Sequence, residues 1–226
     1  MRGAQGIDGI DTVRAIAWDF DGVLNIAGDA WKAVARDELG VDPDALTQAI
    51  FGTDSRALLT GRDDSLERLE AWVAKTGIEA DPEDILEVLF ENDNAPDGTL
   101  LRMISQLDRA GLAQVIATNS DARRARYLAV DGGWSERVDA IFASGEMGAM
   151  KPEAEFFAAI EEALGLAPQE LLLIDDTERN VDAADTRGWR VWHYGQGSAM
   201  ALAQALMPLL LRGSEGAEGL PPSVAD

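Results

Sequence analysis

The sequence contains no cysteine and only one histidine, His193, among its 226 residues. Without cysteine the chain forms neither disulfide bonds nor thiolate metal sites, although this absence does not identify a redox compartment. His193 stands between Trp192 and Tyr194 in the last predicted strand. We interpret it as a structural residue rather than a catalytic one.

Basic residues and long apolar runs are also scarce. The chain has 41 acidic and 19 basic residues, a formal charge of −22 that repels nucleic acids and anionic membrane surfaces. We expect neither as a partner and attribute the charge to solubility or a saline habitat. No apolar run approaches the roughly 18 residues of a membrane span, and residues 1–6 lack the apolar core of a secretion signal. A cytoplasmic location is therefore the default expectation; nothing indicates the oligomeric state.

The pattern along the chain divides it into four parts. Residues 1–12 show no periodicity, and residues 213–226 are rich in Gly, Glu, Pro and Ser, so both are predicted to be flexible tails. Residues 25–96 contain helical segments without a convincing strand, with Asp-Pro starts at positions 42 and 81 and Gly stops at positions 40 and 77. Strands and helices alternate from position 97 onwards. The sequence thus predicts an α/β protein, with a Rossmann-like core formed by residues 13–24 and 97–212 and an inserted all-helical unit at 25–96.

The predicted strands are nearly continuous apolar runs, which is typical of a parallel sheet covered on both faces. They are Val13–Phe20, Ala113–Ala117, Asp139–Ala143, Leu171–Ile174 and Trp189–Tyr194. The helices of this part are predicted at Thr99–Arg109, Asp121–Ala129, Glu153–Leu164, Glu178–Arg187 and Ser198–Leu211. Active groups of such sheets gather at the carboxyl ends of the strands.

Polar motifs follow these strands at that edge. Asp19-Phe20-Asp21-Gly22 ends the first strand, and a chain that turns at Gly22 can aim one carboxylate and one backbone carbonyl at the same point. The other motifs are Thr118-Asn119-Ser120, Lys151-Pro152 and Asp175-Asp176. With these four motifs in this order, residues 13 to 195 resemble the haloacid dehalogenase-like (HAD) hydrolases, in particular phosphatases with a helical cap inserted after the first motif. The resemblance implies that residues 25–96 are the cap domain.

The resemblance implies separate roles for the two carboxylates of the first motif. Asp19 is expected to be the nucleophile that forms an aspartyl phosphate, and Asp21 the general acid and base. Asp21 then needs a pKa raised toward working pH, which neighbouring carboxylates and partial burial would supply.

The acidic residues are also expected to hold a cation. Crowded carboxylates repel one another, and hard oxygen ligands favour Mg²⁺. The resemblance implies that Asp19, the carbonyl of Asp21, and one or both of Asp175 and Asp176 bind it, and we favour Asp176 as the direct ligand. Alternatively, Asp175 and Asp176 cap the helix Glu178–Arg187.

The remaining predicted site residues concern phosphate and substrate. Thr118 offers a hydroxyl at a strand-to-helix turn, and Gly22 and Asn119 are assigned to the same phosphate site. The resemblance implies that Lys151 bridges Asp19 and the phosphate.

The inserted helical unit offers two arginines for substrate recognition. Arg62 lies in a loop between helical segments, and we hypothesise that Arg62 or Arg56 reaches over the site; the alternative is a solvated arginine.

The resulting functional prediction is a Mg²⁺-dependent phosphatase that hydrolyses a small phosphorylated metabolite, a phosphate monoester. The cap has 17 acidic and six basic residues, which disfavours polyanions. A phosphomutase of the same family stays open, although the cap lacks the histidine of the beta-phosphoglucomutase branch. Dehalogenases and phosphonatases replace the second aspartate, which is present here. A phosphate-accepting signalling or binding module without turnover is a further alternative, but receiver modules carry their acidic pair after strand one and lack a long helical insertion.

Overall fold

The computed structural model describes residues 6–195 and 199–217, with side chains to residue 212, and contains a five-stranded parallel sheet of order β3-β2-β1-β4-β5. The strands are β1 (Ala15–Trp18), β2 (Ala113–Thr118), β3 (Ala140–Ala143), β4 (Leu171–Asp175) and β5 (Arg190–His193). In the register of the central strands, Ala17 of β1 stands beside Val115 of β2 and Leu173 of β4. The predicted Rossmann-like parallel sheet is confirmed.

Eleven helices are present in the described part of the chain. Those before β2 are α1 (Ala30–Asp37), α2 (Pro43–Phe51), α3 (Ser55–Leu59), α4 (Ser65–Thr76), α5 (Pro82–Asn92) and α6 (Gly98–Arg109). The later ones are α7 (Ala122–Ala129), α8 (Ser144–Met147), α9 (Ala154–Leu164), α10 (Glu178–Arg187) and α11 (Ala199–Ala217). Short 3-10 helices occupy Ile10–Thr12, Trp134–Glu136 and Pro168–Glu170.

Helices cover both faces of the sheet, because successive side chains of a strand point to opposite faces. Ile16 and Trp18 of β1 pack in one apolar cluster with residues of α6 and α11. Ala15 and Ala17 pack in a second cluster with residues of α9 and α10. All four β1 residues are fully buried, which explains why the sequence of this strand is a continuous apolar run.

Helices α1 to α5 form an all-helical unit, predicted above to be the cap, which has an apolar cluster of its own around Leu46, Leu58, Leu69 and Ile85. Among the described residues, the two sheet clusters contain no residue from positions 25–96. The predicted helix start at Asp42 is confirmed: its carboxylate accepts hydrogen bonds from two backbone amides of the first turn of α2.

The chain enters and leaves the cap at adjacent points. Asn25 forms an isolated antiparallel bridge with Pro96, and the Ile26 amide donates to the Ala95 carbonyl at 2.9 Å. The Asp97 amide donates to the Leu24 carbonyl at 2.8 Å. The two crossings are therefore held side by side, while the exact limits of the two units stay a prediction.

The terminal segments make tertiary contacts, and their flexibility stays a prediction. Ile7 is buried in a sheet cluster, and Arg212 donates hydrogen bonds to the carbonyls of Asp11 and Val13. Residues 6–12 are thus ordered by apolar burial against α11, a long-range effect that local periodicity does not reveal. Helix α11 continues to Ala217, six residues beyond its predicted end, because a helix propagates more readily than it starts. The rest of both predicted tails, and Ser198, lie outside the described residues.

Within residues 6–195 and 199–217, no helix combines the length and apolar character that a membrane span requires.

Candidate active site

Three carboxylates converge at the carboxyl edge of the two central strands. Asp19 directly follows β1, Asp175 ends β4, and Asp176 comes next in the chain. Each contributes one carboxylate oxygen to a group whose members all lie within 4.8 Å of one another. Asp19 and Asp175 are buried, whereas Asp176 is exposed to solvent. The adjacency of β1 and β4 therefore brings residues 156 positions apart into one cluster.

A buried lysine lies against this cluster. The Nζ of Lys151 is 2.9 Å from Oδ1 of Asp19 and 2.6 Å from Oδ2 of Asp175, and the side chain is only 1% exposed. The side-chain amide of Asn119 fixes the lysine backbone, since Nδ2 donates to the Lys151 carbonyl and Oδ1 accepts from the Lys151 amide. The side chain of Asn119 thus positions Lys151, and a phosphate contact by Asn119 stays a prediction.

The charges of this cluster perturb one another. Burial raises the pKa of Asp19 from its ordinary 3.8 to about 7, the Asp175 carboxylate adds to the rise, and Lys151 opposes it. Burial alone would lower the pKa of Lys151, but the charges of Asp19 and Asp175 raise it above its usual value. The cluster has three carboxylates and only one ammonium group, which pairs with Asp19 and Asp175, and a divalent cation would neutralise the excess of negative charge.

The raised pKa of Asp19 is expected to make the free energy of unfolding, measured in chelator, depend on pH. Because the pKa of Asp19 is about 7 in the folded chain and ordinarily 3.8, the folded state retains a proton that the unfolded state has lost between these values. The free energy of unfolding should therefore fall as pH rises from about 4 to about 7. Urea unfolding across this range checks it. Asp19→Asn cannot titrate, so its decline should be smaller, and parallel curves for the two proteins would contradict the assignment.

Gly22 allows the exposed carboxylate of Asp176 to approach the first motif. It adopts a φ of 80°, and a Cβ at this position would lie 2.3 Å from Oδ2 of Asp176. A side chain is thus excluded by both the left-handed backbone and the Asp176 carboxylate. The assignment of Gly22 to the phosphate site stays a prediction.

The carboxylates of the acidic pair have different surroundings. Asp175 accepts hydrogen bonds from Lys151 Nζ, the Thr177 amide and Asn180 Nδ2. Asp176 has its Oδ1 at 3.3 Å from the Thr177 hydroxyl. His193 Nε2 lies 2.9 Å from the Asp176 carbonyl, in keeping with a structural role. The N-cap of α10 is Thr177, so the alternative that the acidic pair caps this helix is wrong.

Asp21 does not place its carboxylate in the acidic cluster. Its two oxygens accept hydrogen bonds from Arg124, at 2.5 Å from Nη1 and 2.8 Å from Nη2, and Asn25 donates a third at 2.9 Å. Burial raises the pKa of Asp21, but the bonds and charge of Arg124 outweigh it and leave the pKa below its ordinary value. The prediction of a raised Asp21 pKa is therefore wrong for this arrangement.

Sequence reasoning missed Arg124, which also pairs with Asp93 at 2.8 Å. It lies in the first turn of α7, and that helix begins at Asp121, whose carboxylate accepts from two backbone amides. Its only sequence signal is its position shortly after the second motif. Thr118 ends β2 at the same edge of the sheet and is buried.

The two cap arginines make other contacts. Arg56 forms an ion pair with Glu153, two residues beyond Lys151. Arg62 is exposed, and its Nε donates to the Thr60 hydroxyl at 3.2 Å. The adjacent Gly61 packs so closely that a Cβ there would lie 2.1 Å from the Gly145 carbonyl oxygen. A substrate contact by Arg62 stays a prediction.

Known proteins with a similar sequence are hydrolases. A family model described as haloacid dehalogenase-like hydrolase matches residues 13–185. The (S)-2-haloacid dehalogenase of Xanthobacter autotrophicus is 28% identical over 98 residues, which are 43% of this chain. The aligned part is only 39% of that relative's length.

Solved structures share the fold. A HAD-like family hydrolase from Porphyromonas gingivalis has a TM-score of 0.63 and 21% identity, covering 86% of this chain and 98% of that one. A HAD family enzyme from Bacteroides thetaiotaomicron, in complex with magnesium and inorganic phosphate, has a TM-score of 0.64 and 17% identity over 82% and 96% of the two chains. An L-2-haloacid dehalogenase from Xanthobacter autotrophicus with chloropropionic acid covalently bound has a TM-score of 0.60 and 22% identity over 90% and 88%. With the family match covering most of its length, this chain belongs to the haloacid dehalogenase-like hydrolases.

Proposed function

We propose that this hydrolase is a Mg²⁺-dependent phosphatase that acts on a small phosphorylated metabolite, a phosphate monoester. The observation that carries the proposal is the convergence of the Asp19, Asp175 and Asp176 carboxylates beside the buried ammonium group of Lys151, which pairs with Asp19 and Asp175. Such an excess of carboxylate charge favours the binding of a cation, and the cation and Lys151 together would balance the charge of a phosphoryl group. A cytoplasmic location stays a prediction.

The residues present fit a magnesium ion, because all the converging donors are carboxylate oxygens. Asp19, the Asp21 carbonyl and Asp176 would hold it directly, and Asp175 through water, since Asp175 is already bonded to Lys151, Thr177 and Asn180. When bound, the ion would neutralise charge on the phosphoryl oxygens.

The reaction then proceeds in two displacements. Asp19 attacks phosphorus, the bond from phosphorus to the alcohol oxygen breaks, and an aspartyl phosphate forms. Lys151 holds Asp19 in position and balances part of its charge. A water molecule next attacks phosphorus, which releases inorganic phosphate and restores Asp19. Thr118 is proposed to contact the phosphoryl oxygens from the end of β2.

Asp21 is proposed to donate the proton that the departing alcohol oxygen takes up and to accept one from the attacking water. In the structure its carboxylate is bonded to Arg124 and Asn25. Asp21 must therefore exchange at least one of these partners for the substrate oxygen before it acts.

A second candidate is dehalogenation of a 2-haloacid, which the likeness to the Xanthobacter dehalogenase supports. There Asp19 would displace halide rather than an alcohol. The presence of Asp21 favours the phosphatase. Assays of inorganic phosphate release from phosphate monoesters, beside halide release from 2-chloropropionate, test the choice. Halide release without phosphate release would overturn the proposal.

Metal removal is expected to abolish phosphatase activity. Without a cation, the carboxylates of Asp19, Asp175 and Asp176 repel one another and an incoming phosphate. EDTA should therefore stop phosphate release from p-nitrophenyl phosphate, and added Mg²⁺ should restore it. As a control, EDTA already saturated with Mg²⁺ should have no effect. Full turnover in excess chelator would rule out the metal assignment.

A further inference from the structure

A partly enclosed cavity lies between the cap and α7. Its volume is about 140 Å³, and seven apolar side chains line it. They come from α1, α2 and α5, and include Trp31, Ile50, Leu89 and Phe90. The cavity is therefore mainly a feature of the cap, closed at one side by the core.

One wall of this cavity adjoins the active-site motif. Arg124 lines the cavity and holds both carboxylate oxygens of Asp21. Asp21 is two residues from the proposed nucleophile, Asp19, and is proposed to protonate the departing alcohol oxygen. Arg124 thus joins the lining of the cavity to the second carboxylate of the first motif.

The polar side chains that line the cavity already have partners within the protein. The Ser65 hydroxyl donates to Asp121 at 3.1 Å, and the Thr47 hydroxyl donates to the Pro43 carbonyl at 2.9 Å. Asp93 pairs with Arg124. Among the described residues, Arg124 Nε is the one buried polar atom of the lining without a partner. A ligand would therefore be held through apolar contacts and at most one acceptor beside Arg124.

The charges around the cavity also limit its occupant. The guanidinium of Arg124 already faces two carboxylates, Asp21 and Asp93, and the lining itself contains two acidic side chains, Asp93 and Asp121. No positive charge is left over for a second anionic group. A polyhydroxylated group would lose its hydrogen bonds to water without regaining them, which is costly.

We propose that this cavity binds the organic part of the substrate, and that this part is an uncharged apolar group of about six carbon atoms. The inference rests on the proposed phosphatase function and specifies its substrate class. The size follows from the volume, because an apolar cavity of about 150 Å³ accommodates one benzene molecule. Sugar phosphates are excluded by the lack of free polar partners.

Three primary alkyl phosphates test this substrate class, since their leaving oxygens have similar chemistry. With Mg²⁺ present, kcat/KM for cyclohexylmethyl phosphate should exceed that for ethyl phosphate by about 100-fold or more, because one methylene group in an apolar pocket is typically worth ~10–200-fold. Glycerol 3-phosphate should be no better than ethyl phosphate. A flat profile, or a preference for glycerol 3-phosphate, would overturn the inference and leave the phosphatase standing.

Filling the cavity should remove this preference selectively. Leu89→Phe should lower kcat/KM for cyclohexylmethyl phosphate by about 10-fold or more, and the loss on ethyl phosphate should be much smaller. The matched control is Leu39→Phe, because Leu39 packs on the same cap cluster but does not line the cavity. An equal loss on both substrates in Leu89→Phe would contradict the inference, and Leu89→Ala, which enlarges the cavity, should instead retain the preference for the bulky ester.

A binding measurement separates this inference from the proposed function. Cyclohexylmethanol, the product alcohol, should raise the Tm of the wild-type protein and of Leu39→Phe, but not of Leu89→Phe. If the alcohol binds in this way and no ester is hydrolysed, the phosphatase proposal fails and the apolar cavity site stands. If esters are hydrolysed but the alcohol does not raise the Tm of the wild type, the cavity inference fails alone.

Discussion

Asp19→Asn is expected to abolish covalent phosphorylation and turnover together, with a loss on the order of 10⁴–10⁶-fold in kcat. The substitution replaces the attacking carboxylate by a neutral amide of nearly the same shape. The neighbouring Phe20 amide, which donates to Asp19 Oδ1 at 2.8 Å, keeps an oxygen acceptor in the variant. The loss of kcat in Asp19→Asn would therefore come from the missing carboxylate nucleophile and not from a disrupted site structure.

Intact mass after an acid quench distinguishes the roles of the two carboxylates in the first motif. Asp21→Asn retains the nucleophile and should lose roughly 10²–10⁴-fold, the usual contribution of general acid–base catalysis. The loss in single-turnover phosphorylation should be larger with an alkyl phosphate than with p-nitrophenyl phosphate, whose leaving group needs no proton. Phosphorylated protein should accumulate in Asp21→Asn. Phosphate trapped in Asp19→Asn but absent from Asp21→Asn would mean that the roles are reversed.

Lys151→Met should produce the largest loss of stability of any single change at the site, about 3–5 kcal/mol in the free energy of unfolding. The lysine is almost completely buried, and its ammonium group is the shared partner of Asp19 and Asp175. Methionine preserves most of the volume but leaves two neighbouring buried carboxylates without it. Urea unfolding in chelator measures the loss, and phosphate release should fall in parallel.

Two further variants show whether this loss comes from charge. Lys75→Met removes an exposed lysine of α4 and should change stability by less than about 0.5 kcal/mol. Combining Lys151→Met with Asp19→Asn should recover part of the stability, because one of the repelling carboxylates becomes neutral. The test is whether Asp19→Asn lowers the free energy of unfolding by the same amount in the Lys151→Met protein as in the wild type. If it does, the two residues are not coupled and the electrostatic explanation is wrong.

The position of the acidic residues was predictable because they follow apolar strands, whereas Lys151 was singled out only by the family resemblance. Asp19 and Asp175 come at the ends of nearly continuous apolar runs, and parallel strands bring such ends to one edge. Thr118 was predicted at the same edge for the same reason, because it follows the apolar run of the second strand. Helix starts at Asp42 and the all-helical nature of the cap follow from local capping chemistry, which acts over only a few residues.

Side-chain orientation was not predictable in the same way. The partner of Asp21 lies 103 residues away on α7, and no spacing in the sequence links Arg124 to it. The side-chain amide of Asn119 bonds to the backbone of Lys151, 32 residues further along the chain, which no sequence pattern indicates. The burial of Ile7 depends on α11. Each of these contacts is decided by tertiary packing, which determines which of several polar partners a side chain reaches.

The bridge between Asn25 and Pro96 makes the helical segment an exchangeable module. Because its entry and exit are adjacent and its apolar cluster is separate, recombination at this point joins a different insertion to the same sheet without rebuilding the sheet's interior. Such an exchange keeps Asp19, Lys151 and the acidic pair but replaces the cavity walls contributed by α1, α2 and α5. A chain can therefore keep the residues of the sheet edge and change the molecule that it accepts, because the two junctions of the helical segment lie side by side.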